Sequence, residues 1–332
     1  MSVLSKVTTG RKLKPLALLL HAPHGIGKST FAAESPNPVY IGSEENDELD
    51  VARFPRIETW NDLASQLQAL RDETHDYKTL VIDTIDGLEQ IAEKEILSQK
   101  GNKGKNMATA DGSFGKAYIN MANMFLNIRD NFLVPLRDKK GMNIVILAHS
   151  ESRKHEDPMT NTSYDAYETA IHKKTKPIFE DWVSAILFAN YYLVKAENSS
   201  GKEYAEGDGM RMIYTEERPS HAAKNRFDMP YEVEFTKNGT WARVRNMILD
   251  HFKSGKTEKA DPKKKEVENK KKEEKKKVEA KDDLNELNDK IEDLLSKMPN
   301  DMKGIIEKSL SKAGTDEKEL NRIVSKMEGM VQ

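Results

Sequence analysis

The chain has 332 residues, a formal net charge of −2, and 37% hydrophobic against 33% charged residues. It contains no cysteine, which excludes disulfides, cysteine-based zinc sites and thiol nucleophiles and suits a reducing compartment. No apolar stretch approaches the ~18 residues of a membrane span, and "MSVLSKVTTGRKLK" lacks a signal-peptide core, so a cytoplasmic protein is expected.

Short, continuous apolar runs recur in the first 250 residues or so. They are "LALLLH" (16–21), "PVYIG" (38–42), "YKTLVIDT" (77–84) and "MNIVILAHS" (142–150). Such runs suit strands buried on both faces of a parallel sheet. Between them, Trp60, Leu63, Leu67 and Leu70 keep helical spacing behind Thr59 as an N-cap. Leu88, Ile91, Ile96 and Leu97 mark a second helix. Alternating strands and helices predict an α/β fold with right-handed crossovers. The runs at 182–197, 210–217 and 231–237 read as further strands, some antiparallel.

From Lys253 the composition changes to Lys and Glu with almost no apolar residues. Residues 253–281 therefore read as a solvated linker, weak association with DNA being the alternative. Residues 282–332 regain helical periodicity. Leu284, Leu287, Ile291, Leu294 and Leu295 form one stripe, Ile305, Ile306 and Leu310 another, and Leu320, Ile323, Val324 and Met327 a third. A small helical module follows, either a partner-binding or an oligomerisation element. The expected organisation is 1–252 core, 253–281 linker and 282–332 helical module.

The segment "HAPHGIGKST" follows the first apolar run directly. It has the G-x-x-x-x-G-K-[ST] phosphate-loop pattern with Ala22 in place of the first glycine. Gly25 and Gly27 let backbone N–H groups converge on phosphates, with His24, Ile26 and Thr30 completing the cradle. Lys28 is expected to reach the outer phosphates and Ser29 to hold Mg²⁺. Alanine is tolerable at position 22 if that residue need not adopt positive φ. "TLVIDT" reads as an apolar strand ending in a metal-holding acid, Asp83, with Asp86 as the cap of the next helix. In many additional-strand P-loop ATPases a glutamate after the second strand orients water, and Glu44 is placed for that role. Glu48 and Asp50 read as a solvated acidic loop. His149, at the end of a central strand, is placed to sense phosphate state.

With "HGIGKST", "YIGSEE", "LVIDT", "ILAHS" and "HAAKNRFDMPYEVEF" in order, residues 14–250 resemble the RecA-like ATPase core. They resemble more closely the core-only RecA-type ATPases that bacteriophages encode for recombination and annealing. The resemblance implies a RecA-like P-loop NTPase core with a mostly parallel sheet, using ATP and Mg²⁺. It also implies that Lys224 and Arg226 of "AKNRF" reach the ATP of a neighbouring subunit in a filament or ring. Two segments, 98–116 and 150–177, correspond to loops that grip single-stranded DNA. Lys103, Lys105, Arg153, Lys154, Lys173 and Lys174 are candidates for phosphates, and Phe114 and Tyr118 for stacking on bases. A single-strand-binding or other recombination protein is a candidate partner of the C-terminal helices. The expected function is ATP-dependent annealing or strand exchange. A hexameric helicase or translocase, and a nucleotide-switched binding module, remain alternatives. A small-molecule kinase is disfavoured, because no arginine-rich lid follows the motifs.

Overall fold

In chain order, β1 (Ala17–Ala22), α1 (Lys28–Ala33), β2 (Pro38–Ile41), β3 (Ala52–Arg53), α2 (Trp60–Asp72), β4 (Thr79–Ile82) and α3 (Ile85–Ser98) open the N-terminal unit. Next come α4 (Lys116–Ile128), α5 (Val134–Asp138), β5 (Asn143–Asp157), β6 (Thr162–Thr169), α6 (Lys176–Glu180) and β7 (Ala185–Tyr191). The unit ends with β8 (Val194–Glu197), β9 (Glu203–Glu206), β10 (Arg211–Tyr214), β11 (Lys224–Asn225), β12 (Glu232–Glu234) and α7 (Thr240–Ser254). This computed structural model describes residue 4, residues 7–45, 47–197, 203–207 and 209–254, and residues 290, 291, 294, 295, 310, 323–325 and 327. The chain divides into two units, Met1–Lys256 and Thr257–Gln332.

The main sheet has the order β3-β2-β4-β5-β1-β7-β10-β12. It is parallel from β3 to β7 and antiparallel at β10 and β12. This is an α/β P-loop NTPase fold, and its sheet extends past β7 by antiparallel strands, as the sequence predicts. β1 and β4 are buried along their whole length, which explains their unbroken apolar runs. Alternate residues of β1 serve opposite cores. Ala17 and Leu19 join Leu63, Leu67, Phe125 and Phe179. Leu18, Leu20 and Ala22 join Phe31, Trp241 and Ile248. On that second face, Glu34 at the end of α1 accepts from the N–H groups of Gly239 and Trp241 (2.8 and 2.9 Å), which ties α1 to the start of α7.

Local signals hold at α2. The Thr59 hydroxyl accepts from the Asp62 N–H, and the Asp62 carboxylate accepts in turn from the Thr59 N–H, a complete capping box. At α3 one assignment needs correction. Thr84, not Asp86, caps the helix, its hydroxyl accepting from the Gly87 N–H at 3.3 Å. Asp86 lies a residue inside the helix, and its carboxylate turns to β5 instead.

A second correction concerns 150–177, expected as a loop. β5 continues well past His149 and pairs antiparallel with β6, from Ser150↔Thr169 to Asp157↔Thr162. The Asp157 carboxylate makes the turn, accepting from the Met159 N–H (2.9 Å) and the Thr160 hydroxyl (2.8 Å). The hairpin is polar on both faces, so no apolar run announces it.

In the C-terminal unit, Ile291, Leu294, Ile323, Val324 and Met327 are buried together, with Leu295 and Leu310 packed against them. Leu284, Leu287, Ile305, Ile306 and Leu320, and the linker beyond Ser254, lie outside the described residues. Among the described residues no helix is long and apolar enough to cross a membrane.

Candidate active site

The loop between β1 and α1 lies at the C-terminal edge of the parallel strands, where open α/β sheets take ligands. Ala22 is still in the sheet, paired with His149. It needs no left-handed conformation, so the missing first glycine costs nothing. Gly25 (φ 74°) and Gly27 (φ 108°) do take left-handed conformations. Ile26 is fully buried and anchors the loop in the core. The first helical bond runs from the Phe31 N–H to the Gly27 carbonyl (3.0 Å). The N–H groups of Lys28, Ser29 and Thr30 therefore have no intrahelical acceptor. They belong to the same short turn as the Lys28 ammonium.

Lys28 is buried, and its ammonium donates to the carbonyls of Ala22 (3.3 Å) and Pro23 (3.1 Å). Burial pulls its pKa below the ordinary lysine value, against the opposing field of Glu44, Asp83 and Asp86. These acids favour the charged form of the buried ammonium. The Ser29 hydroxyl donates to Asp83 Oδ2 at 2.6 Å, and Asp83 is fully buried just after β4. A hydroxyl beside a carboxylate is the oxygen donor set that suits Mg²⁺ completed by phosphates and water. The residues thus fit the metal the loop implies.

Glu44 and His149 flank this pair. β5 lies between β1 and β4, so His149, midway along β5, sits on the strand that separates the phosphate loop from Asp83. His149 Nδ1 donates to Asp86 Oδ2 (2.7 Å), and its backbone N–H donates to Asp86 Oδ1 (2.9 Å). Its Nε2 faces Glu44 Oε1 at 3.7 Å, and Glu44 Oε1 also accepts from the Thr84 hydroxyl (3.3 Å). His24 of the phosphate loop stacks on the His149 ring with centroids 3.7 Å apart. Burial pushes the Asp86 carboxyl up, but the bonds from His149 outweigh it and hold the group below the usual aspartate range. Glu48 and Asp50 are exposed.

Lys224 and Arg226 stand apart from this cluster. Lys224 pairs with Ile186, which pairs with Leu19 in the middle of β1. That is about 10 Å back along the strand from Ala22 at ~3.3 Å per residue. The Lys224 ammonium donates to the carbonyls of Glu180 and Asp181, and Arg226 donates to Asp181 at 3.5 Å.

Among the other basic candidates, Lys103, Lys105, Lys154, Lys173 and Lys174 are exposed. Arg153 is engaged within the hairpin, paired with Glu151 and donating to the Ile171 carbonyl (2.9 Å). Phe114 is 95% exposed, whereas Tyr118 stacks on His172 with centroids 4.1 Å apart. The 98–116 segment is pinned by buried Asn102, which donates to the Ile96 carbonyl (2.9 Å) and to Asp111 Oδ1 (2.6 Å).

Three functional candidates escape sequence reasoning. Asp86 resembles a cap by its position in the chain. Glu89, one turn further along α3, accepts the His172 N–H (2.8 Å), and burial raises its pKa. With Ala170 N–H donating to the His149 carbonyl (2.8 Å), α3 holds both roots of the β5–β6 hairpin. The third, Arg211 on β10, donates to the Ile26 carbonyl (2.9 Å) from far along the chain. The i, i+3 spacing of Asp86 and Glu89 beside apolar Ile85 and Leu88 was a readable signal; for Arg211 there was none.

Residues 14–227 match the sequence model of a family described as AAA domain. No curated protein matches the chain. The matched span runs from the residues before β1 through the β11 segment and takes in the phosphate loop, Asp83 and His149. On that match, and with the phosphate loop and the sheet order that the structure displays, the chain belongs to the AAA-domain family of ATP-binding P-loop ATPases.

Proposed function

We propose that this protein is a RecA-like, phage-type recombination ATPase that assembles head to tail on single-stranded DNA and promotes annealing or strand exchange. The observation that carries the reading is the separation of two half-sites on one chain. The cradle, Ser29–Asp83 and the Glu44–His149 pair cluster at one edge of the sheet. Lys224 and Arg226 lie together near the other end of the β7 register, out of reach of their own cradle. Cations so placed serve a phosphate in a neighbouring copy, and a head-to-tail contact of this kind closes into a ring or continues as a helix.

In this reading the loop N–H groups and Lys28 grip the β- and γ-phosphates. Ser29 and Asp83 are the residues that would hold Mg²⁺, which would supply neutralisation of phosphate charge. Glu44 orients the attacking water. His149, fixed by Asp86, registers the γ-phosphate and passes its state to the β5–β6 hairpin that begins at the next residue. Lys103, Lys105, Lys154, Lys173 and Lys174 supply sequence-tolerant contacts to DNA phosphates. The C-terminal helices serve a recombination partner or self-association.

The test is steady-state ATP hydrolysis with and without single-stranded DNA, on the wild type and Lys28→Ala. Strong stimulation by DNA that vanishes in the variant supports the proposal. Nucleotide binding without DNA-stimulated turnover marks a passive switch, and unwinding of a forked duplex by closed rings marks a helicase.

A further inference from the structure

We infer that Arg211 is a positioning residue for the phosphate loop, holding the Ile26–Gly27 peptide so that its N–H faces the nucleotide. The inference deepens the nucleotide-site reading and rests on it. The Arg211 guanidinium donates to the Ile26 carbonyl at 2.9 Å and lies over the Phe235 ring, 5.2 Å from its centroid. Stacking on an aromatic face and directing a rigid fork at one acceptor is arginine-specific chemistry.

The peptide geometry makes this contact consequential. In a trans peptide the C=O and the following N–H point in opposite directions. Pinning the Ile26 oxygen to Arg211 therefore aims the Gly27 N–H the other way, into the concave side of the loop. If that peptide turned over, a carbonyl dipole would face the phosphates in place of an N–H, replacing attraction by repulsion. Gly27 is the residue where such a rotation is easiest, because it is glycine with φ 108°. A Cβ at that position would come within 3.1 Å of Arg211 Nη1, so the arginine also occupies the space that glycine leaves open.

Arg211 comes from β10, the first antiparallel strand beyond the parallel core. Its neighbour Phe235 follows β12, and the Phe235 N–H donates to the Arg211 carbonyl at 2.8 Å. The sheet extension thus holds the guanidinium at both its backbone and its ring. The far end of α1 is fixed by Glu34 to α7, so the loop is the part left for Arg211 to set.

The experiment compares wild type, Arg211→Met and Arg211→Lys by direct titration with ATP and ADP in Mg²⁺, with thermal unfolding in parallel. Methionine keeps the packing on Phe235 and removes the donor; lysine restores one donor and the charge. The expected result for Arg211→Met is a loss of about ten- to a hundredfold in affinity, equal for ATP and ADP. Arg211→Lys should recover a large part of it. Equal loss is the signature of a β-phosphate contact through the loop rather than a γ-phosphate contact. Unchanged affinity for both nucleotides in Arg211→Met, with or without a lowered melting temperature, overturns the inference and leaves the nucleotide site standing. Failure of the wild type to bind either nucleotide overturns the site reading itself.

Discussion

Asp86 grips His149 at two points, accepting its backbone N–H on one carboxylate oxygen (2.9 Å) and Nδ1 on the other (2.7 Å). Ring and backbone of His149 are therefore set by one side chain, and Nε2 is left facing Glu44. Asp86→Asn keeps one oxygen to accept the backbone N–H but sets an amide NH2, a donor, against the Nδ1 donor. Loss of that charge-assisted bond should lower turnover about tenfold or more while nucleotide affinity holds. Single-turnover hydrolysis beside a binding titration checks this. Affinity falling in step with turnover would show that Asp86 serves the fold rather than the sensor.

His21, the penultimate residue of β1, gives a pH prediction. Its Nε2 faces the Ala222 carbonyl (2.8 Å) and must donate, so Nδ1 accepts from the Ser150 hydroxyl (2.9 Å). Burial, aided by nearby His221 and Lys176, lowers its pKa from 6.5 to about 4 despite the Ala222 bond. Between those values the unfolded chain binds a proton that the folded chain refuses. The neutral ring's contribution is thus complete above pH 6.5 and is lost as pH falls toward 4, about 3 kcal/mol in all. Urea unfolding from pH 7 to 4 should show a shallower pH slope for His21→Gln than for wild type. Equal slopes would contradict the assignment.

Lys224 and Arg226 predict a dependence on assembly. Wild-type turnover per subunit should rise with protein concentration. Lys224→Ala/Arg226→Ala should keep nucleotide affinity and lose turnover on the order of a thousandfold, the scale of a trans-acting cation. Normal hydrolysis by the assembled double variant would remove the trans role.

Much of this architecture could be read from the chain because burial writes itself into composition. β1, β2, β4 and the first half of β5 are largely buried, so apolar residues dominate them, with polar residues confined to positions at or near their ends. Thr59 and Asp62 announce α2 through local capping chemistry that needs no tertiary partner. The phosphate loop is equally local, since its glycines, lysine and serine act within one turn. The second half of β5 carries no such mark. Its inward and outward residues are alike polar, and only pairing with β6 makes it a strand. Asp86 failed for a related reason. An acid in the first turn of a helix looks like a cap, but Thr84 already fills that position, and Asp86's partner lies across the sheet. Arg211 meets the loop through the folded sheet alone, so neither spacing nor composition could place it there.

Residues 24–30 grip a nucleotide's phosphates in the proposed function. Calorimetric titration of wild type and Lys28→Ala with ATP and with ADP, in Mg²⁺, tests it most directly. The expected result is saturable binding at one site per chain, weakened at least about tenfold when the buried ammonium is removed. Wild type that binds neither nucleotide, or a Lys28→Ala variant that binds as tightly as wild type, would contradict it.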